Sequence, residues 1–352
     1  MTYDQIKPYI EQGLINEQKH PECEALRIFN YTQKCQFSKA WDDVTKHCRG
    51  LIMNVETGEI IARPFPKFFN YEEHIANGWP LPDEAPVVYT KFDGSLGILY
   101  WLDGTPYVAT RGSFTSEQAR WATEFFRQFN KYWFDFFDPT KTYLFEIIYP
   151  QNRIVVDYKG YEGLALLAKI DTKTGVSLPL DDAHALPPII RTPDSILFHS
   201  YERLKKLNSE NREGFVLHYR KADVRVKVKF DDYVRLHRIM TGLSVKSVWE
   251  MLRDGVDPLT EDIPDEMHVW LKGVIENLKD KYVSLEKMCL GLYYSVKDMA
   301  TRKEQANFIL NQFYFTAPDV VFQMLDHKDY QATIWRHVKP RGSQTFTNDI
   351  DS

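Results

Sequence analysis

The chain has 352 residues and a net charge of −5 at pH 7. It is long enough for two domains, and it lacks the basic excess of a protein that coats duplex nucleic acid without specificity. With 43% hydrophobic and 26% charged residues, it has the composition of a soluble globular protein with a real core. Met1-Thr2-Tyr3-Asp4-Gln5 is polar, so no secretory signal is expected. No apolar run reaches the length of a membrane span, and a cytoplasmic protein without membrane contact is expected. Cys23, Cys35, Cys48 and Cys289 form no C-x-x-C pair and read as reduced thiols.

β-rich runs dominate the first two thirds of the chain. They include Gly50–Met53, Val87–Thr90, Gly97–Trp101, Tyr107–Ala109, Leu144–Ile148 and Val224–Phe230. Asp103-Gly104 between two such runs predicts a tight hairpin. Residues 115–137 carry Ala119, Trp121, Ala122, Phe125, Phe126 and Phe129 at helical spacing, which predicts a helix.

Near residue 240 the character changes. Residues 265–299 place Trp270, Leu271, Val274, Leu278, Tyr282, Leu285, Met288, Cys289, Leu292 and Val296 at helical spacing. Thr301-x-x-Glu304 is a capping box, and Thr316-Ala317-Pro318-Asp319 signals a further helix start. The stretch Trp335–Gly342 is basic and aromatic, either a solvated end or a nucleic-acid contact. The expected fold class is α+β: antiparallel sheets with flanking helices over residues 1–238, then a small all-helical domain over 239–352.

Chemistry concentrates in the first domain. Lys91-Phe92-Asp93-Gly94-Ser95 is preceded by Cys48-Arg49-Gly50 and by Arg63-Pro64-Phe65-Pro66-Lys67-Phe68-Phe69-Asn70. Phe145-Glu146-Ile147-Ile148, Glu213-Gly214-Phe215-Val216 and Lys227-Val228-Lys229 follow it. Singly, each has a structural reading. Arg49 could be a loop arginine, Glu146 a satisfied buried carboxylate, Glu213-Gly214 a turn, and the two lysines an edge strand's protection. Together, in this order, they match the motifs of covalent nucleotidyltransferases: K-x-D-G, aromatic-Glu, E-G-hydrophobic-V and K-x-K.

Finer features resemble the RNA ligase 1 family of T-even phages. They are Arg27-Ile28-Phe29-Asn30-Tyr31, the P-x-x-K-F-F-N element, Ser113-x-x-Ser116-Glu117-Gln118-Ala119, and Phe145 through Val155. The resemblance covers residues 25–240. In the helical domain it extends only to the helical character. Phe92 and Arg111 depart from the family pattern, in which a polar residue and a lysine are expected.

The resemblance implies an adenylyltransferase domain and an ATP-dependent RNA ligase. Such an enzyme joins 5′-phosphate and 3′-hydroxyl ends through lysyl-AMP and an adenylylated RNA end. Lys91 would be the nucleophile, and Asp93 would orient it or its metal-bound neighbours. Gly94 would let the backbone approach the nucleotide. Arg49 would contact the AMP ribose or phosphate, and Lys67 the outer phosphates, with Tyr31 near them. Glu146 would bind ribose or metal, and Glu213 a metal. Lys227 and Lys229 would hold the α-phosphate, and Val216 would pack on adenine. ATP is the implied co-substrate and Mg²⁺ or Mn²⁺ the implied metal, as hard carboxylate ligands favour. Implied partners are RNA ends, such as those of cleaved tRNA in a phage-infected bacterium, and a separate polynucleotide kinase-phosphatase.

An amine attacks phosphorus only when unprotonated, so Lys91 is expected to be depressed in pKa by the nearby lysines. A DNA ligase or capping enzyme would carry short strands after residue 240, as in an OB-fold. A relative that only binds RNA would keep the fold without turnover.

Overall fold

A computed structural model of the chain describes residues 1–128, 136–180, 186, 189–209, 211–259, 265–312 and 315–341. Two compact units emerge, Met1–Arg235 and Leu236–Asp349.

Among the described residues, the first unit contains three antiparallel sheets. One has the order β1-β2-β3-β4, formed by Ile15–Lys19, Leu26–Tyr31, Arg49–Asn54 and Ile60–Ala62. The chain continues through β5, Val87–Lys91, β6, Ser95–Leu102, β7, Thr105–Ala109, β8, Lys141–Ile148, β9, Gly163–Asp171, and β10, Ser177–Leu178; the five-stranded sheet runs β10-β9-β8-β6-β7, and β5 lies outside it. Instead β5 joins β11, Ser195–Ile196, β12, Gly214–Tyr219, and β13, Val224–Lys229, in the order β11-β5-β12-β13.

The hairpin β6–β7 turns on Asp103 (φ 50°) and Gly104 (φ 73°). Two positive φ values in a two-residue loop are what the right-handed twist of the flanking strands requires. Strand β8 has seven consecutive buried positions because both its faces are covered. Tyr143, Phe145 and Ile147 join the core beneath the helix Glu117–Arg127. Leu144 points to the opposite core, shared with Ile28, Ile52 and Ile98. By the two-residue period of a strand, Glu146 lies on the Leu144 face. A helix over Tyr3–Glu11 covers the outer face of the first sheet through Ile6, Phe29, Leu51 and Met53.

The helix expected over 115–137 spans Glu117–Arg127, its first turn capped by Ser116, which accepts from Ala119 N. Residues 136 and 137 form a turn and a bend, and Phe129 falls outside the described residues. The named elements of the second unit are all helical: Val245–Arg253, Asp265–Val296, Arg302–Leu310, Pro318–Leu325 and Gln331–His337. The capping box at Thr301 and Glu304 forms as the sequence indicates. Cys289, Val296, Ile309, Val320 and Ile334 make this unit's core. Met288 departs from the expected apolar stripe and is 53% exposed.

The basic stretch near the C-terminus is largely engaged in structure. Arg336 and His337 both donate to Asp319, and the Trp335 carbonyl accepts from Trp249 Nε1. Gly342 lies outside the described residues. Among those residues no helix is long and apolar enough to cross a membrane.

Candidate active site

Sheet register gathers the site. Lys91, the last residue of β5, pairs with Gly214, which pairs on its other side with Lys229. Val216 sits between Tyr89 and Lys227 in the same way. Residues directly opposite in an antiparallel ladder share a face. Lys91, Lys227, Lys229 and Val216 therefore lie on one face of this sheet. Val226 and Val228 alternate to the other face and are fully buried.

Glu213 precedes β12 and is 2% exposed. Its Oε2 accepts from Lys91 Nζ at 2.7 Å, and its Oε1 lies 2.9 Å from Lys229 Nζ. Burial opposes its charge, but the two ammonium groups outweigh that and hold its pKa below the usual carboxylate value. Lys91 also donates to the Phe92 carbonyl at 3.1 Å.

The expected depression of Lys91 is not what the charges produce. Burial works to lower its pKa, but Glu213 and Glu146 outweigh burial and the value is raised. Lys227 is the depressed lysine. Burial lowers its pKa well below the ordinary value, and Lys67, Arg49, Lys91 and Lys229 lower it further.

Five cations, Arg49, Lys67, Lys91, Lys227 and Lys229, surround three carboxylates, Asp93, Glu146 and Glu213. Burial raises the pKa of two of the three, Asp93 and Glu146. Burial, followed by the other acids, pushes Glu146 up to about 7 against the pull of Lys91. The site thus holds an excess of positive charge in a low-dielectric setting, which suits a polyanion.

Arg49 reaches its place through a β-bulge. Phe29 pairs with Leu51 and Asn30 with Arg49, so Gly50 is the extra residue. Gly50 has φ +90°, and a Cβ there would lie 2.4 Å from Ile98 Cδ1. Only glycine tolerates both conditions. The Arg49 guanidinium is buried, and its Nη1 has no hydrogen-bond partner, a costly condition that an anionic ligand would relieve. Lys67 Nζ sits 5.4, 5.3 and 5.5 Å from the ring centroids of Tyr31, Trp41 and Phe69. Arg111 donates to Tyr31 Oη at 3.0 Å, so the departure at Arg111 keeps a cation beside this ring.

Two residues act in ways that the sequence did not indicate. Asp93 acts on Lys91 only through its charge, and its hydrogen bonds go elsewhere. Its Oδ2 accepts from Val155 N and Val156 N at 2.8 and 2.9 Å, and its Oδ1 accepts from Tyr233 Oη at 2.7 Å. It clasps the loop after Lys91 to the 153–156 segment and to the helix after β13. Gly94 is required by a protein neighbour: a Cβ there would lie 2.5 Å from the Ile147 carbonyl oxygen.

Tyr233, Tyr158 and Asn152 were missed. Tyr158 Oη accepts from Asp93 N at 2.6 Å. Asn152 accepts from Ser95 Oγ and donates to the Ile147 carbonyl. Only Tyr233 had a local signal, an apolar ring four residues after Lys229 in the first turn of a helix. Among the described residues, no group of three or more His, Cys, Asp or Glu is placed to hold a metal ion.

Residues 47–187 match the T4 RNA ligase 1 family model, described as RNA ligase. The chain is similar to a putative bifunctional polynucleotide kinase/RNA ligase of Autographa californica nuclear polyhedrosis virus, at 29% identity over 60% of this chain. It spans only 33% of that protein's length. An RNA ligase of Rhodothermus phage RM378 is 22% identical, with 82% of this chain and 81% of the phage protein aligned. Among solved structures, an archaeal ATP-dependent RNA ligase aligns over 80% of this chain and 79% of its own, at 16% identity and TM-score 0.48. Over the matched stretch the chain resembles the RNA ligases that this family model describes.

Proposed function

We propose that the protein is an ATP-dependent RNA ligase that carries AMP on Lys91 and joins a 5′-phosphate to a 3′-hydroxyl. The observation that carries this reading is the register that puts Lys91, Lys227 and Lys229 on one sheet face, with Glu213 as the counterion that Lys91 and Lys229 share. The orphaned Arg49 Nη1 beside them supports it.

Lys91 attacks the α-phosphorus of ATP, pyrophosphate leaves, and a phosphoramidate forms. The amine must lose its proton first. The ion pair with Glu213 keeps that proton on before the nucleotide arrives. A divalent cation near Glu213 and Glu146 would compete for their oxygens and weaken their hold on Lys91. With two carboxylates available, such an ion would complete its shell with phosphate oxygens and water, as Mg²⁺ commonly does. Mn²⁺ suits the same oxygen donors.

Lys227 and Lys229 hold the α-phosphate, and Lys67 the outer phosphates with Tyr31 near them. Arg49 holds ribose or phosphate, and Val216 packs on adenine. Transfer of AMP to an RNA 5′-phosphate and attack by the 3′-hydroxyl complete the reaction. The repair of cleaved tRNA in the cytoplasm of a phage-infected bacterium is the setting we propose. An end-healing kinase-phosphatase would be a separate partner. The name of the baculovirus relative, which joins a kinase to an RNA ligase, supports that pairing.

The test is labelling with [α-³²P]ATP and Mg²⁺ for wild type and Lys91→Ala, followed by a chase with 5′-phosphorylated single-stranded RNA or DNA. Label on the wild type alone, passing to RNA, is the expected result. Label that passes only to DNA would overturn the substrate, and a wild type that takes no label would leave an RNA-binding relative without turnover.

A further inference from the structure

From Lys67 outward, four aromatic rings of the first unit form an unbroken row. Tyr31 meets Trp41 edge-on at 5.0 Å, Trp41 meets Phe69 at 5.7 Å, and Phe69 meets Trp79 at 4.8 Å between centroids. Its outer end is the most exposed. Tyr31 and Phe69 are buried, Trp41 is half-buried, and Trp79 is 37% exposed. The row begins at the cation cluster and ends in solvent.

The placement of Trp79 is specified locally. The helix Tyr71–Asn77 ends at Gly78, whose φ of 64° allows its N–H to reach the His74 and Ile75 carbonyls. Trp79 N then donates back to His74 O at 3.0 Å. This is the pair of hydrogen bonds of a glycine-capped helix end, and it fixes the backbone of the following residue. His74 packs edge-on against the indole at 5.6 Å. The acids on this helix are occupied, since Glu72 pairs with Lys205 and Glu73 accepts from Asn70 N. They do not set an unpaired negative charge in front of the ring.

A ring that is rigidly held, open to water and continuous with a phosphate-binding cluster has the two parts of a single-strand nucleic-acid site, a stacking surface and adjacent cations. We propose that Trp79, backed by Phe69 and Trp41, is the stacking platform for the base nearest the 5′-phosphate of the RNA strand being joined. The proposal rests on the RNA ligase reading, with that phosphate held by Lys67 once pyrophosphate has left. Stacking tolerates any base, so this contact positions the end without selecting its sequence.

The experiment compares full-length wild type, Trp79→Ala and Trp79→Phe. Three quantities are measured: labelling by [α-³²P]ATP, polarization of a fluorescein-tagged 5′-phosphorylated oligoribonucleotide, and KM and kcat for sealing. In Trp79→Ala, the RNA Kd and KM should each rise about tenfold, with labelling and kcat within about twofold of wild type. Trp79→Phe, which keeps a π-face, should recover most of the affinity. Unchanged RNA binding in Trp79→Ala would overturn the platform even if the wild type seals RNA. So would a parallel loss of labelling, which would make Trp79 a mere prop for Phe69 and Lys67. A wild type that binds RNA in a Trp79-dependent way but seals nothing would keep the platform and defeat the ligase reading.

Discussion

Glu213 is the residue on which the site's electrostatics turn. It is one carboxylate between two ammonium groups, and no other acid pairs with Lys91 or Lys229 among the described residues. Replacing Glu213 by Gln leaves both cations without their paired carboxylate. We expect a loss of about 3 kcal/mol of stability by urea denaturation, along with the loss of Lys91 labelling. Stability equal to wild type would mean that the pair is incidental. Glu146 makes the opposite kind of prediction. Its folded pKa of about 7 lies above the ordinary glutamate value, so the folded state binds the proton more tightly than the unfolded state. The stabilisation this supplies is complete below the unfolded pKa and is lost as pH rises through about 7. Glu146→Gln removes that dependence. Between pH 5 and pH 7 the wild type should therefore lose roughly 2 to 3 kcal/mol more stability than the variant. Parallel pH profiles would sink the idea.

At the scale of elements, the site depends on how strands close over one another. The Lys91–Ser95 turn carries the chain from β5 in one sheet to β6 in another. Asp93 fixes this turn through Val155, Val156 and Tyr233, and Gly94 lets β8 pass beneath it. Gly94→Ala would force the Ile147 carbonyl aside. We expect a loss of about 2 kcal/mol, seen as a lower midpoint in thermal unfolding, together with weaker labelling because the same shift moves Glu146. Full stability in Gly94→Ala would mean that the backbone there yields easily. The sequence marks Gly94 for a close approach to the nucleotide, whereas the neighbour the fold supplies is a strand 53 residues later. That neighbour is invisible in a one-dimensional pattern.

For the whole molecule, the two compact units suggest a division of labour. Every residue assigned to the adenylyl transfer lies within Met1–Arg235. We propose that a fragment of residues 1–238 accepts label from ATP on Lys91, and that a fragment of residues 239–352 gives a helical circular dichroism spectrum with no labelling. A strand-rich spectrum from the second fragment would contradict its helical architecture. Failure of the first fragment to label, while folded, would show that nucleotide binding draws on the second unit.

The sequence by itself determined the class of the fold, the hairpin at Asp103-Gly104, the helix caps and the residue types of the site. These rest on short-range physics: strand and helix periods, turn residues that accept positive φ, and side chains that cap their own helix. Motif order also brought Arg49, Lys67, Lys91, Glu146, Glu213, Lys227 and Lys229 onto one list. Tertiary structure decided how they act. Whether Lys91 or Lys227 is lowered in pKa depends on which lysine faces Glu213. Asp93 holds a loop because two distant amides and the Tyr233 hydroxyl converge on it. Pairing and burial are set by groups tens to hundreds of residues apart, so the proton balance of this site is a property of the folded chain.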